Sequence, residues 1–115
     1  MSNKAKDHIL SQLELLPRGW YVKLIPNMVD ELVRVLGPHV EDFEIHQCKE
    51  KYGFLRVYWY LKRDVDDMIR LEVSSIISKY ESMSSMICAN CGAPATHMTE
   101  PWILYMCDSC YDKTV

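Results

Sequence analysis

A chain of 115 residues that is 49% hydrophobic and 25% charged has the apolar content for one domain, or one domain with a small appendage. That content excludes a disordered tail, and no apolar run approaches the ~18 residues of a membrane-spanning helix. The formal net charge of −3 disfavours generic phosphate binding by the chain as a whole.

In chain order, Met1 to His8 carry lysines with no apolar stretch behind them, so no secretory signal is expected. Over residues 4–16, Ile9, Leu10, Leu13 and Leu16 fall at helical spacing, and Pro17 and Gly19 should end that helix. Trp20 to Ile25 reads either as a short strand or as a helical turn. Pro26 suits a helix start, and Val29, Leu32, Val33 and Leu36 predict a second helix stopped by Gly37-Pro38.

Strand periodicity follows. Phe43 and Ile45 alternate with polar neighbours, Lys51-Tyr52-Gly53 can turn the chain, and Phe54 to Leu61 is rich in aromatic and β-branched residues. An antiparallel hairpin is expected, with Trp20 to Ile25 as a candidate third strand. Leu55, Val57, Trp59 and Leu61 share one face, and Phe54, Arg56, Tyr58 and Tyr60 share the other. Glu44, His46 and Cys48 would also share a face and put an acid, a base and a thiol in a row. Neighbours along one strand stand ~6.5 Å apart, which is poor geometry for an imidazole–thiol hydrogen bond, so a solvated face with an incidental thiol is the simpler reading.

Asp64 or Asp66 can cap the next helix, which explains the Asp64, Asp66, Asp67 group more simply than a cation site does. Ile69, Val73, Ile76, Tyr80 and Met83 then predict a buried stripe on a helix of about five turns. Met68, Met83, Met86, Met98 and Met106 are expected as core filler. Ser82, Ser84 and Ser85 mark the step into the last module.

That module holds Cys88-Ala-Asn-Cys91 and Cys107-Asp-Ser-Cys110. Two such pairs at this separation are what a tetrahedral zinc site needs: each forms a turn that aims two sulfurs at one ion. Gly92 suits the first turn, and the insert reads as a hairpin with Ala95 to Thr99 and Trp102 to Met106 as strands. Two disulfides would require an oxidising compartment, and iron can also occupy four cysteines. Zinc is favoured because nothing else in the chain asks for redox work. His97 could replace one cysteine, but four thiolates already satisfy the ion. Metal-bound cysteines imply a reducing compartment, so cytoplasm is expected. A shell of Cys88, Cys91, Cys107 and Cys110 leaves no open position, so Zn2+ here is expected to be structural and no catalytic residue is assigned.

Four bound thiolates add −4 and the ion +2, taking the total to −5. The segment 49–63 opposes this trend: Lys49, Lys51, Arg56, Lys62 and Arg63 against Glu50 make it +4. Lys49, Lys51, Phe54, Arg56, Tyr58 and Tyr60 interleave cations with rings and are the candidate partner-binding residues. A helix covering that face, a protein contact and a nucleic-acid contact are the three readings open to it.

Gly19-Trp20, the run Lys49-Glu50-Lys51-Tyr52-Gly53-Phe54-Leu55-Arg56-Val57-Tyr58 and the closing cysteine pairs together carry a resemblance. Over roughly residues 18 to 110 the chain resembles a group of small bacterial, prophage and phage proteins. These carry a similar segment, with phenylalanine where this chain has Tyr52, followed by a four-cysteine ribbon. The resemblance implies a zinc-bearing phage or prophage accessory protein and names no reaction.

The expected fold is α+β. N-terminal helices pack on a small antiparallel hairpin or sheet and a long helix follows, together forming residues 1–85; a zinc ribbon forms residues 86–115. The expected function is non-enzymatic binding of a host protein or nucleoprotein complex, of which an anti-CRISPR inhibitor is one form, in the host cytoplasm if the chain is phage-encoded. The alternative is nucleic-acid binding through the basic aromatic hairpin. No membrane partner is expected, and a homodimer stays open.

Overall fold

Two helices, α1 (Arg18–Lys23) and α2 (Ile25–Leu36), meet at Leu24 in a computed structural model that describes residues 7–11, 13 and 16–114. The strand considered for Trp20 to Ile25 is therefore a helix. The N–H of Leu24 bonds the carbonyl of Trp20 at 2.8 Å, and Trp20, Leu24 and Met28, four apart, are all buried. The backbone bond from one residue to the fourth before it is the helical one, and the same spacing turns all three side chains toward the core. Gly19 lies inside α1 rather than ending a preceding helix. Of the helix expected over 4–16, residues 7–10 are helical; positions 4–6, 12, 14 and 15 lie outside the described residues. Ile9, Leu13 and Leu16 are buried, whereas Leu10 turns outward. In α2 the buried stripe is Met28, Val29, Leu32 and Leu36, and Gly37 ends it at φ 53°.

A short 3-10 stretch, Gly37–Asp42, leads into β1 (Phe43–Lys51), which pairs antiparallel with β2 (Phe54–Leu61) from Phe43↔Leu61 to Lys51↔Phe54. These two strands form one two-stranded sheet. Tyr52 and Gly53 turn the chain with φ of 53° and 84°. The inner face buries Phe43, Ile45, Leu55, Val57 and Leu61 against the helices. Full burial of each such side chain stabilises the fold by about 1.5–3 kcal/mol.

The long helix α3 (Asp67–Met83) starts where Asp66 Oδ1 accepts the Met68 N–H at 2.8 Å, the expected cap. Its buried residues are Val73, Ile77 and Tyr80; Ile69 and Ile76 are half-buried. Met83 is exposed, because the stripe drifts round the helix to Ile77 and Tyr80. Met68, Met86 and Met98 are exposed too, so of the five methionines expected as filler only Met106 is buried.

α3 packs on α2 and on β2, and its polar side chains close the outer edge of β2. Ser84 Oγ, just past its end, accepts the Leu55 N–H at 2.9 Å, and Glu81 Oε2 accepts the Val57 N–H at 2.9 Å. Arg70 donates to the carbonyls of Leu61 (3.0 Å) and Lys62 (2.8 Å). An open strand edge would otherwise template pairing with another chain. No helix among the described residues is long and apolar enough to cross a membrane.

Candidate metal centre

Beyond α3, Ile87 bridges to Pro94, and two short strands pair: β3 (His97–Met98) with β4 (Tyr105–Met106). The hairpin expected in the insert is present but its regular part is short. Bonds from Thr96 N–H to Met106 O (2.8 Å) and Thr99 N–H to Leu104 O (2.9 Å) extend the pairing on either side. The helix α4 (Asp108–Thr114) follows, starting inside the second cysteine pair.

The four cysteines converge. Sγ atoms of Cys88, Cys91, Cys107 and Cys110 all lie within 4.8 Å of one another, and those of Cys91 and Cys107 are 3.6 Å apart. Four thiolates at ~2.3 Å from a central ion would stand about 3.8 Å apart, so a small contraction closes the shell. None of the four is in a disulfide. Cys88 and Cys110 are buried, Cys107 is half-buried and Cys91 is exposed.

Backbone turns make the arrangement. The Gly92 N–H bonds Cys88 O at 2.9 Å, and Gly92 sits at φ 85°, a conformation a side chain resists. Polar hydrogens point at sulfur: Asn90 N–H at Cys88 (3.4 Å), Asn90 Nδ2 at Cys110 (3.3 Å), and Cys110 N–H at Cys107 (3.4 Å). Burial alone would push the Cys88 thiol up. The N–H groups of Cys107, Cys91 and Asn90 outweigh it and bring the thiol down to about 6. The Ala93 N–H favours a Cys91 thiolate, but the neighbouring Cys107, Cys88 and Cys110 sulfurs outweigh it and push that thiol up to about 11, so one sulfur of this pair gives up its proton readily and a bound ion would have to ionise the other.

His97 is not among the converging groups. Its Nε2 lies 2.7 Å from Asp108 Oδ1, and its ring stacks on Tyr111 at 4.2 Å. Thr96 donates to the same carboxylate oxygen, and these two bonds hold Asp108 below the usual carboxylate range. His97 thus braces the strand β3 against the second cysteine turn.

The four-cysteine module docks on the rest of the chain. The Gly19 N–H donates to Ala89 O at 2.7 Å, and Ala89 N–H donates to Tyr105 O at 2.8 Å. A Cβ on Gly19 would stand 2.1 Å from Cys88 O. At the other side Phe54 packs edge-on against Tyr105, with ring centres 5.6 Å apart. Of the apolar run Trp102, Ile103, Leu104, the last two are half-buried, while Trp102 is 73% exposed. Asn90, Asp108 and Gly19 carry roles that spacing did not assign.

The hairpin residues separate into two groups. A β-bulge between Ile45 and Gln47 leaves His46 without a cross-strand partner and reverses the faces beyond it. Cys48 therefore packs on the core side, away from Glu44 and His46, and the expected row of acid, base and thiol does not exist. Burial, then the Glu81 carboxylate, pushes the Cys48 thiol up to about 12. His46 and Glu44 remain together outside, 3.3 Å apart. No helix covers the other face of β2 among the described residues. Arg56 is exposed, and Tyr58 and Tyr60 are 48% and 43% exposed. Lys51 is exposed beside them, Lys49 is half-buried against the Tyr58 ring, and Phe54 is half-buried on Tyr105. Comparison of the chain with protein-family models, with curated proteins and with solved structures finds no match.

Proposed function

We propose that the chain is a non-enzymatic binding protein in which Zn2+ held by Cys88, Cys91, Cys107 and Cys110 is structural, and in which the uncovered face of the hairpin receives the partner. The observation that carries this reading is the pairing of a four-sulfur cluster with the bare face of Lys49, Lys51, Arg56, Tyr58 and Tyr60. Four thiolates complete a zinc shell without leaving a position for substrate or water. Tyr and Arg are the residue types that dominate binding hot spots.

The partner in this reading is a protein or nucleoprotein complex. A phage or prophage accessory role, inhibiting a host defence complex, rests on the resemblance of the 49–58 segment and the cysteine pairs, on the small size and on the acidic balance outside the hairpin. Zinc is preferred over iron because no other feature among the described residues asks for redox work.

The test has two parts. Elemental analysis of the reduced, purified protein should give one zinc per chain. Affinity capture from bacterial lysate should recover a stoichiometric complex that a Tyr58→Ala, Tyr60→Ala variant with intact zinc content fails to recover. A metal-free folded protein, or equal capture by both forms, defeats the reading.

A further inference from the structure

We infer that the uncovered hairpin face binds single-stranded nucleic acid laid along β2, as the contact this protein makes within its nucleoprotein partner; this rests on the reading that this face receives the partner. Tyr58 and Tyr60 point from the same side of one strand, two residues or about 6.7 Å apart. Unpaired bases of an extended strand stack on exposed rings spaced in this way, and such stacking tolerates any sequence.

The cations are placed for the backbone of that strand. Lys49 and Arg56 are direct cross-strand partners, a like-charge pair that costs the free protein stability. A phosphate between them removes that cost. Lys51 follows on β1, and Lys62 and Arg63, both exposed, continue past the end of β2. Positive charge therefore flanks the two rings at both ends. Lys49 Nζ sits 5.8 Å from the centre of the Tyr58 ring, which keeps cation and ring together. The His46 ring stacks on Tyr60 with centres 5.8 Å apart and steadies it. Glu44, the one acid on this face, is opposite Tyr60 and engaged with His46.

Two alternatives fit less well. The centre of a protein interface is depleted in lysine and built on apolar contacts. This face flanks its two rings with lysine and arginine and has no aliphatic side chain. Duplexes hide their bases from a flat sheet face, so the rings would have nothing to stack on. Beyond Lys51 the strip continues into a groove of about 260 Å³ that Tyr52 and Trp102 also line, which offers further rings to a longer strand.

The experiment uses the full zinc-loaded chain and fluorescent oligo(dT) and oligo(U) of about twelve nucleotides, with a duplex of the same length and polyglutamate as competitors. Single strands should bind better than duplex, and log affinity should fall against log salt with a slope near −2, about three phosphates at ~0.7 each. Tyr58→Ala, Tyr60→Ala should weaken binding by about tenfold or more with little change in slope. Arg56→Ala should weaken binding and reduce the slope by about 0.7. Tyr58→Phe, Tyr60→Phe should retain binding, which separates lost stacking from a damaged fold. Equal affinity for duplex, preferential displacement by polyglutamate, or no binding at about 50 mM salt overturns the inference. If the oligonucleotides fail to bind but the double alanine variant still loses its captured partner, the function reading survives and this inference alone fails.

Discussion

The amide of Gly19 sits 2.7 Å from the carbonyl oxygen of Ala89, so the first turn of α1 rests directly on the first cysteine turn. No side chain separates them: the nearest atom to a would-be Cβ on Gly19 is the Cys88 carbonyl oxygen. The cysteine turn and the helical core are thereby joined backbone to backbone at this point.

Gly19→Ala should therefore be severe. The added methyl meets backbone, which cannot rotate away as a side chain would, so the loss should approach the ~3 kcal/mol end of overpacking costs. Urea unfolding reads it as a lower midpoint. Zinc affinity should fall in step, since α1 and the cysteine turn can no longer close together. An unchanged midpoint would mean the two backbones are not in contact.

If the four cysteines hold zinc as proposed, removing it should unfold the C-terminal module first. Zinc binding at such modules contributes on the order of 10 kcal/mol to folding, and the residues from Ile87 onward bury little else. Acidification or a strong chelator should abolish amide-exchange protection in β3, β4 and α4. Protection in β1, β2 and α3 should persist, because Phe43, Leu55, Leu61, Val73 and Ile77 pack without the sulfurs. Loss of protection in all elements at once would show a single cooperative unit instead.

Cys48 should behave unlike the other four cysteines. With its thiol pushed up to about 12, it holds its proton where an ordinary cysteine near 8.5 has lost it. At pH 8 the zinc-loaded protein should resist iodoacetamide, and chelation should expose four sites, with Cys48 modified last; mass spectrometry of peptides checks the order. The linkage sign follows from the raised value. The native state keeps a proton that the unfolded state releases, so Cys48's contribution is intact below about pH 8.5 and declines as pH climbs toward 12. Cys48→Ser should flatten that alkaline decline.

Glu31 links α2 to α3. Lys79 Nζ lies 2.8 Å from it and the Tyr80 hydroxyl donates to it; these two bonds hold its carboxyl below the usual range. Burial, then Glu31, raises the Tyr80 hydroxyl to about 12. A depressed carboxylate stabilises above its unfolded pKa of ~4.3, and that contribution is lost as pH falls through the lower folded value. Glu31→Gln should cost about 1 kcal/mol at neutral pH, because its amide oxygen still accepts from Tyr80 but without the charge that strengthens the bond, while the half-exposed Lys79 pair is screened. The difference from wild type should vanish in acid. A constant difference across the acid range would contradict the assigned shift.

Tyr52 stands where an asparagine or glycine would be easier. A bulky residue at φ 53° costs about 1–2 kcal/mol, and its ring is 70% exposed, with little burial to compensate. Tyr52→Asn should raise the thermal midpoint, as scanning calorimetry would register. A lower midpoint would show that the ring contributes more to the fold than its exposure suggests.

Much of this was legible in one dimension. The spacing of Cys88, Cys91, Cys107 and Cys110 is local chemistry, because a short turn between paired cysteines leaves few ways to aim two sulfurs. The hairpin followed from period two in Phe54 to Leu61, the α3 start from Asp66, and α2 from its apolar stripe, each a property of neighbouring residues. Other features needed the third dimension. A bulge at His46 adds one residue to one strand and moves Cys48 to the core, and nothing in the alternation of β1 announces it. Whether Trp20 to Ile25 coils or extends was decided by the core it had to fill. Which hairpin face stays bare depended on where α2 and α3 had room to pack. The seat of the metal module on α1 was set by Gly19 meeting a carbonyl seventy residues away, a contact whose partners share no local pattern. Local covalent and periodic constraints act within a few residues and so can be read from order alone; packing and backbone contact join distant segments and exist only once the chain has folded.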